Sequence, residues 1–181
     1  EVSIGSTVLQ TGHYAEDVIV VDDGSTDDTV EVAEAAGATV VEHEENRGKG
    51  AAVKTLLQEA REREFESLVL LDGDGQHSPE DITQLVDPVL QGEADVAIGS
   101  RYLDGRETDT PRYRRLGQRI LDLLTVGSAR TNVTDSQSGF RALSPTAVDS
   151  MQLRTDGYGV ESEMINGAAE HGLAIVEVPI D

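Results

Sequence analysis

Leu68-Val69-Leu70-Leu71-Asp72-Gly73-Asp74-Gly75-Gln76-His77-Ser78-Pro79-Glu80 is the stretch on which the reading of this chain turns. Its four apolar residues suit a short strand covered on both faces, closed by two carboxylates one residue apart. Gly73 and Gly75 let the backbone turn. Ser78 reads as a helix N-cap, with Pro79 at the first helical position and Asp81 completing a capping-box-like start. An Asp-x-Asp therefore stands at the carboxyl end of a strand, where open α/β sheets bind their ligands. Asp72 and Asp74, with the amide oxygen of Gln76, suit Mg²⁺ or Mn²⁺ shared with a substrate's phosphates. The stretch points to a metal-dependent enzyme acting on a nucleotide-activated compound. A solvated acidic turn is the plainer reading, and the all-apolar strand before it argues against that. A calcium loop of the EF-hand type fails, because its twelfth position falls on Thr83 rather than a glutamate.

Strands and helices alternate on either side. Residues 1–10 read as a helix, and an α/β domain normally begins with a strand, so the sequence is expected to start after its first one. Asp17-Val18-Ile19-Val20-Val21 is a strand, followed by a helix over 27–36 that Gly37 stops. A strand over 39–43, a loop over 44–50 and a helix over 51–63 lead to the central stretch. A helix over 79–90 and a strand over 95–100 follow. The alternation predicts a mainly parallel sheet with helices on both faces. Past Arg101 the character changes: a polar loop at 105–111, then a helix over 113–126 with Leu116, Ile120, Leu121, Leu123 and Leu124 at helical spacing. A strand over 138–143, a helix over 160–170 and a strand over 175–180 complete the chain. No linker divides it, so residues 1–181 read as one domain.

The charge balance excludes some functions. Thirty-five acidic residues oppose 14 basic ones, a net charge of −21 that should repel nucleic acid. A surface adapted to high salt, where screening relieves self-repulsion, accounts for that charge. With no cysteine, disulfides and thiolate metal sites are excluded. No apolar run approaches the ~20 residues of a membrane-spanning helix. With no leader-like segment in view, a cytoplasmic location is the expectation.

Three further constellations stand out. Asp22-Asp23-Gly24-Ser25 closes another strand, and its aspartates suit either a nucleoside or simple capping of the next helix. Six of the 12 arginines, Arg101, Arg106, Arg112, Arg114, Arg115 and Arg119, fall within 19 residues. Concentrated positive charge in an acidic chain suits phosphate, which arginine holds bidentately, or, beside the apolar 113–126 face, a membrane surface. Ordinary surface ion pairs explain most single arginines, but Arg101 follows a strand directly. Asp135-Ser136-Gln137-Ser138-Gly139-Phe140-Arg141 suits a tight turn aiming polar groups into a cleft. The histidines show no metal-ligand spacing.

Together these segments resemble the family 2 glycosyltransferases, and within them the polyprenyl- (dolichyl-) phosphate sugar synthases. The resemblance rests on residues 20–27, Asn46-Arg47-Gly48-Lys49-Gly50, residues 72–80, Gly99-Ser100-Arg101-Tyr102 and Ser138-Gly139-Phe140-Arg141-Ala142, all in the family's order. It implies a GT-A fold, with residues 1–100 binding the nucleotide-sugar and 101–181 the acceptor. It implies an inverting transfer from a GDP- or UDP-linked sugar to a lipid phosphate at the cytoplasmic face of a membrane. By the family's pattern Asp22, Asp23, Gly48, Lys49 and Asp72 border the donor, and Asp72, Asp74 and Gln76 surround Mg²⁺ or Mn²⁺. Arg101 and Arg141 join Asp72 and Asp74 in catalysis. Arg101, Arg114, Arg115, Ser138, Arg141, Glu161 and Glu163 are expected around the acceptor. The family's first strand, part of its nucleotide pocket, has no counterpart here.

A phosphate monoester acceptor is already an anionic nucleophile, whereas a sugar hydroxyl would need a base, for which Asp135, Glu161 and Glu163 are candidates. A phospho-receiver domain shares the early acidic pair and Asp72 but needs a lysine after its last strand, and none follows Lys54. A nucleotidyltransferase would want a glycine-rich Arg/Lys loop that is not visible.

Overall fold

The computed structural model describes residues 2–101, 103 and 133–180. The 113–126 helix and Arg106, Arg112, Arg114, Arg115 and Arg119 lie outside the described residues. Helix α1 spans Val2–Thr11, strand β1 Ile19–Asp22, α2 Thr29–Ala35, β2 Thr39–Glu42 and α3 Lys49–Arg61. Then come β3 (Leu68–Leu70), a 3₁₀ turn (Pro79–Asp81), α4 (Ile82–Leu90), β4 (Val96–Ser100) and β5 (Arg141–Leu143). Helix α5 covers Pro145–Ser150, α6 Val160–Glu170 and β6 Ile175–Pro179.

The larger sheet has the order β3-β5-β4-β6, while β1 and β2 form a parallel pair. β4 and β6 are parallel, and β5 runs antiparallel to both of its neighbours. The sheet is thus more mixed than the strand–helix alternation predicts, because a three-residue strand carries no sign of its direction. Alternate residues of the central strands face opposite layers. Val96, Ile98, Leu143 and Ile175 pack with Leu57 of α3 and Met164 of α6. Ala97, Ala142 and Val176 pack on the other face with Ile82 and Leu85 of α4. All five residues of β4 are buried, as a strand covered on both faces requires.

β1 and β3 pair outward only, with β2 and β5 respectively. Between their open edges lies a cavity of about 910 Å³, lined by Val18, Val20, Leu68, Leu70 and Val53 and reaching Lys49, Asp72 and Glu161 at one end.

Helix starts differ in detail from expectation. Ser78 precedes Pro79 in extended conformation, but its side chain caps nothing, and α4 begins only at Ile82. Asp81 accepts a hydrogen bond from Gln84 Nε2. α3 starts two residues early, at Lys49, because Asp23 satisfies the backbone N–H groups of Arg47 and Gly48 ahead of it.

Candidate active site

The turn after β1 is held by its own carboxylates. Asp22 Oδ2 accepts the Ser25 N–H at 2.9 Å. Asp23 Oδ1 accepts the Arg47 N–H at 2.9 Å, and Oδ2 the Gly48 N–H at 2.7 Å. His43 Nδ1 lies 2.7 Å from Asp23 Oδ1, and its Nε2 lies 2.9 Å from Thr55 Oγ1. Burial pulls the Asp23 pKa upward, yet the bonds to His43 and to the Arg47 and Gly48 backbone outweigh it, and the group sits below its ordinary value. Asp23 is therefore the anchor of the 46–50 loop.

That loop is glycine-rich for a packing reason. Gly48 has φ +94°, and a β-carbon on it or on Gly50 would collide with the carbonyls of Asp156 and Thr155. Glu163 holds this facing segment, accepting the Arg154 N–H at 2.8 Å and the Thr155 N–H at 2.9 Å. Both its oxygens, expected near the acceptor, bond this backbone segment.

The clamped loop delivers Lys49 between two carboxylates. Its Nζ lies 2.9 Å from Asp72 Oδ2 and 2.7 Å from Glu161 Oε1. Burial alone would lower the lysine's pKa, but hydrogen bonds with Glu161 and Asp72 raise it above the ordinary value. Glu161 shows the reverse: burial raises its pKa, and the Lys49 bond more than cancels that, leaving it below normal. Lys49 is a fixed positive charge, and Glu161 is an ionised partner for it.

Asp74 and Gln76 are exposed at the mouth of the turn, with Asp74 Oδ1 accepting the Gln76 N–H at 2.9 Å. Among the described residues no three acidic or histidine side chains form a closed metal cage. Two carboxylates on one turn, open on one side, instead match a hard divalent ion that completes its shell with water and substrate phosphate. Gly139 makes room for this: a β-carbon there would lie 2.8 Å from Asp72 Cγ. The residues present fit Mg²⁺ or Mn²⁺.

Ser138 and Arg141, expected around the acceptor, are both buried. Arg141 is 1% exposed, and its guanidinium donates to three backbone carbonyls: Ser138 at 2.9 Å, Glu161 at 2.8 Å and Ser136 at 2.9 Å. Burial pulls its pKa down to about 10, opposed by the charges of Glu161, Asp135 and Asp72, so it stays protonated at neutral pH. Ser138 is buried too, its Oγ accepting the Phe140 N–H at 3.3 Å. Arg141 joins the 135–141 turn to α6 through the Glu161 carbonyl, while the Ser138 hydroxyl bonds within the turn.

Arg101 remains available. Its side chain is 45% exposed, with Nε 4.0 Å from Asp135 Oδ2. Asp135 is buried, and that oxygen makes no hydrogen bond among the described residues. His77 is buried with its ring 5.2 Å from that of Phe140, and burial and then the charge of Arg101 push its pKa below normal. The structure thus gathers Asp72, Asp74, Lys49, Glu161, Arg101 and Asp135 at one end of the sheet. The sequence reading passed over two buried residues here, His43 and Glu177. Glu177 had a visible signal, as the one charge inside Ile175-Val176-Glu177-Val178.

Comparison with known proteins gives a consistent picture. The sequence pattern of Glycosyl transferase family 2 matches residues 3–151. The chain is 33% identical over 192 residues to the UDP-N-acetylglucosamine–dolichyl-phosphate N-acetylglucosaminyltransferase of Methanococcus voltae, covering 95% of this chain and 76% of that one. It is 32% identical over 173 residues to the undecaprenyl-phosphate mannosyltransferase of Micrococcus luteus, covering 91% and 70%. Among solved structures, the glucosyl-3-phosphoglycerate synthase of Mycobacterium tuberculosis with Mn²⁺, UDP-glucose and glycerol 3-phosphate matches with TM-score 0.72 at 29% identity. That match covers 99% of this chain and 65% of the solved one.

Proposed function

The chain belongs to glycosyltransferase family 2, with the GT-A fold, and we propose that it transfers a sugar from a GDP- or UDP-linked donor to a polyprenyl (dolichyl) phosphate. The observation that carries this reading is the convergence of an open carboxylate pair, Asp72 and Asp74, with the half-exposed Arg101 beside Asp135. Such a site can manage two anionic partners at once. The names of the Methanococcus and Micrococcus relatives support a lipid-phosphate acceptor, and the Mycobacterium complex supports a uridine nucleotide and a divalent ion.

Asp72 and Asp74, with Gln76 beside them, would hold Mg²⁺ or Mn²⁺. Bound there, the ion would neutralise charge on the diphosphate leaving group. Asp23 fixes the loop that carries Lys49, and Lys49 fixes Asp72 against Glu161. Arg101 offers a planar donor fork to the acceptor phosphate. A phosphate monoester has its second pKa near ~6, so the attacking oxygen is anionic at neutral pH and needs no base. In-line attack inverts the anomeric centre. The 113–126 segment, with Arg114 and Arg115, is assigned to the membrane surface at its cytoplasmic face, where the lipid would be met. Among the described residues no helix is long and apolar enough to cross a membrane.

One observation favours a second reading, a sugar-hydroxyl acceptor. Asp135 Oδ2 is buried with no hydrogen bond among the described residues, which suits a general base. A transfer assay separates the two. Radiolabelled nucleotide-sugars are offered with dolichyl phosphate in liposomes or with free saccharides, with and without Mn²⁺. Label on the lipid only when metal is present is the expected result; label on saccharides alone would overturn it.

A further inference from the structure

Glu177 is fully buried in β6, between Val176 and Val178. Its Oε1 accepts three hydrogen bonds, from the Thr134 N–H at 2.9 Å, the Asp135 N–H at 3.0 Å and the Thr134 hydroxyl at 2.7 Å. Its Oε2 makes none among the described residues. Thr134 has one hydroxyl proton, and it is donated in the hydrogen bond to Glu177. The 3.0 Å contact between Ser100 Oγ and Thr134 Oγ1 is therefore donated by Ser100.

The relay from Ser100 through Thr134 to Glu177 ties the end of β4 to the loop at 134–135 and to the middle of β6. Ser100 precedes Arg101, and Thr134 precedes Asp135. Arg101 and Asp135 are the two groups that face each other at 4.0 Å. A carboxylate with no exposed surface is costly to desolvate, and leucine or valine would serve the packing of β6 as well. What an apolar residue could not do is hold two consecutive backbone N–H groups and a hydroxyl at one point.

We propose that Glu177 is a positioning residue, which through Thr134 and Asp135 holds the Asp135–Arg101 pair where the acceptor is received. The functional half of this rests on the reading above; the structural half does not. Glu177 touches no substrate, and its effect passes through the loop at 134–135.

The test uses the whole chain with Glu177→Gln, which keeps the shape, and Glu177→Leu, which removes both acceptor oxygens. Amide hydrogen exchange is measured first. Exchange over residues 133–138 should quicken about tenfold in Glu177→Leu, or in Glu177→Gln if the leucine variant does not fold, with α3 unchanged. Unaltered exchange there would overturn the proposal whether or not the protein transfers sugar.

Kinetics follow with the dolichyl phosphate acceptor. Glu177→Gln should change acceptor KM or kcat about tenfold while UDP affinity with Mn²⁺ stays within about twofold, and should add nothing in an Asp135→Asn background. Equal losses in both backgrounds, or UDP affinity falling in step, would mean a merely structural role. A wild-type chain that transfers nothing to the lipid would sink the functional reading and leave hydrogen exchange to decide the positioning role.

Discussion

Gly139 stands so close to Asp72 that a β-carbon on it would come within 2.8 Å of Cγ and 2.9 Å of Oδ1. Glycine at 139 therefore sets where the carboxylate can lie. Gly139→Ala should move the Asp72 side chain away from Lys49 at a cost of about 1–3 kcal/mol. Its larger effect should be on metal-dependent nucleotide binding, weakened about tenfold or more for a misplaced ligand. Calorimetry of wild type and variant checks this, and unchanged affinity would show that Asp72 does not serve the metal.

The Lys49–Glu161 pair makes a pH signature. Glu161 has a folded-state pKa below the ordinary 4.5, so its stabilising contribution is complete above that value. It is lost as pH falls from about 4.5 through the lower folded value. Glu161→Gln should therefore flatten the acid limb of the unfolding curve. An acid limb identical to wild type would show that the pair contributes nothing to stability.

Arg141 offers a choice between two roles with opposite outcomes. If its guanidinium serves the Ser136, Ser138 and Glu161 carbonyls, Arg141→Met leaves buried acceptors unpaired and costs about 3–5 kcal/mol in urea unfolding. Arg141→Lys should rescue only part of that, since one ammonium cannot span the three carbonyls. Full stability with activity lost would instead put Arg141 on the acceptor, as its place after Ser138-Gly139-Phe140 suggests.

Much of the architecture could be read before any coordinates. Apolar runs ending in Asp, Gly or Ser mark β1, β3 and β4, because burial on both faces leaves few polar residues inside such strands. The places of Asp72, Asp74 and Arg101 in the fold were legible for a related reason, since each follows closely on the carboxyl end of a strand. The contacts of Arg141 and Glu163 were not legible: both hold backbone groups brought near by the fold, and spacing says nothing about those. The reversed β5 was too short to show its direction. Helix α5 was missed, although Ser144 before Pro145 is a local start signal and its Oγ does accept the Ala147 N–H.

The net charge of −21 leads to a salt dependence. The Debye length falls from about 10 Å at 0.1 M to about 3 Å at 1 M, so repulsion between exposed carboxylates is largely removed in molar salt. The thermal midpoint should rise from dilute buffer to molar KCl, with loss of native circular dichroism on dialysis into low salt. A midpoint independent of KCl would remove the case for adaptation to high salt.

The most direct measurement is calorimetric titration of UDP and GDP, with and without Mn²⁺, in molar KCl. Saturable binding of one nucleotide that requires the metal and disappears in Asp72→Asn is the expected result. Binding of neither nucleotide, or equal binding without metal, would contradict a donor site built on Asp72 and Asp74.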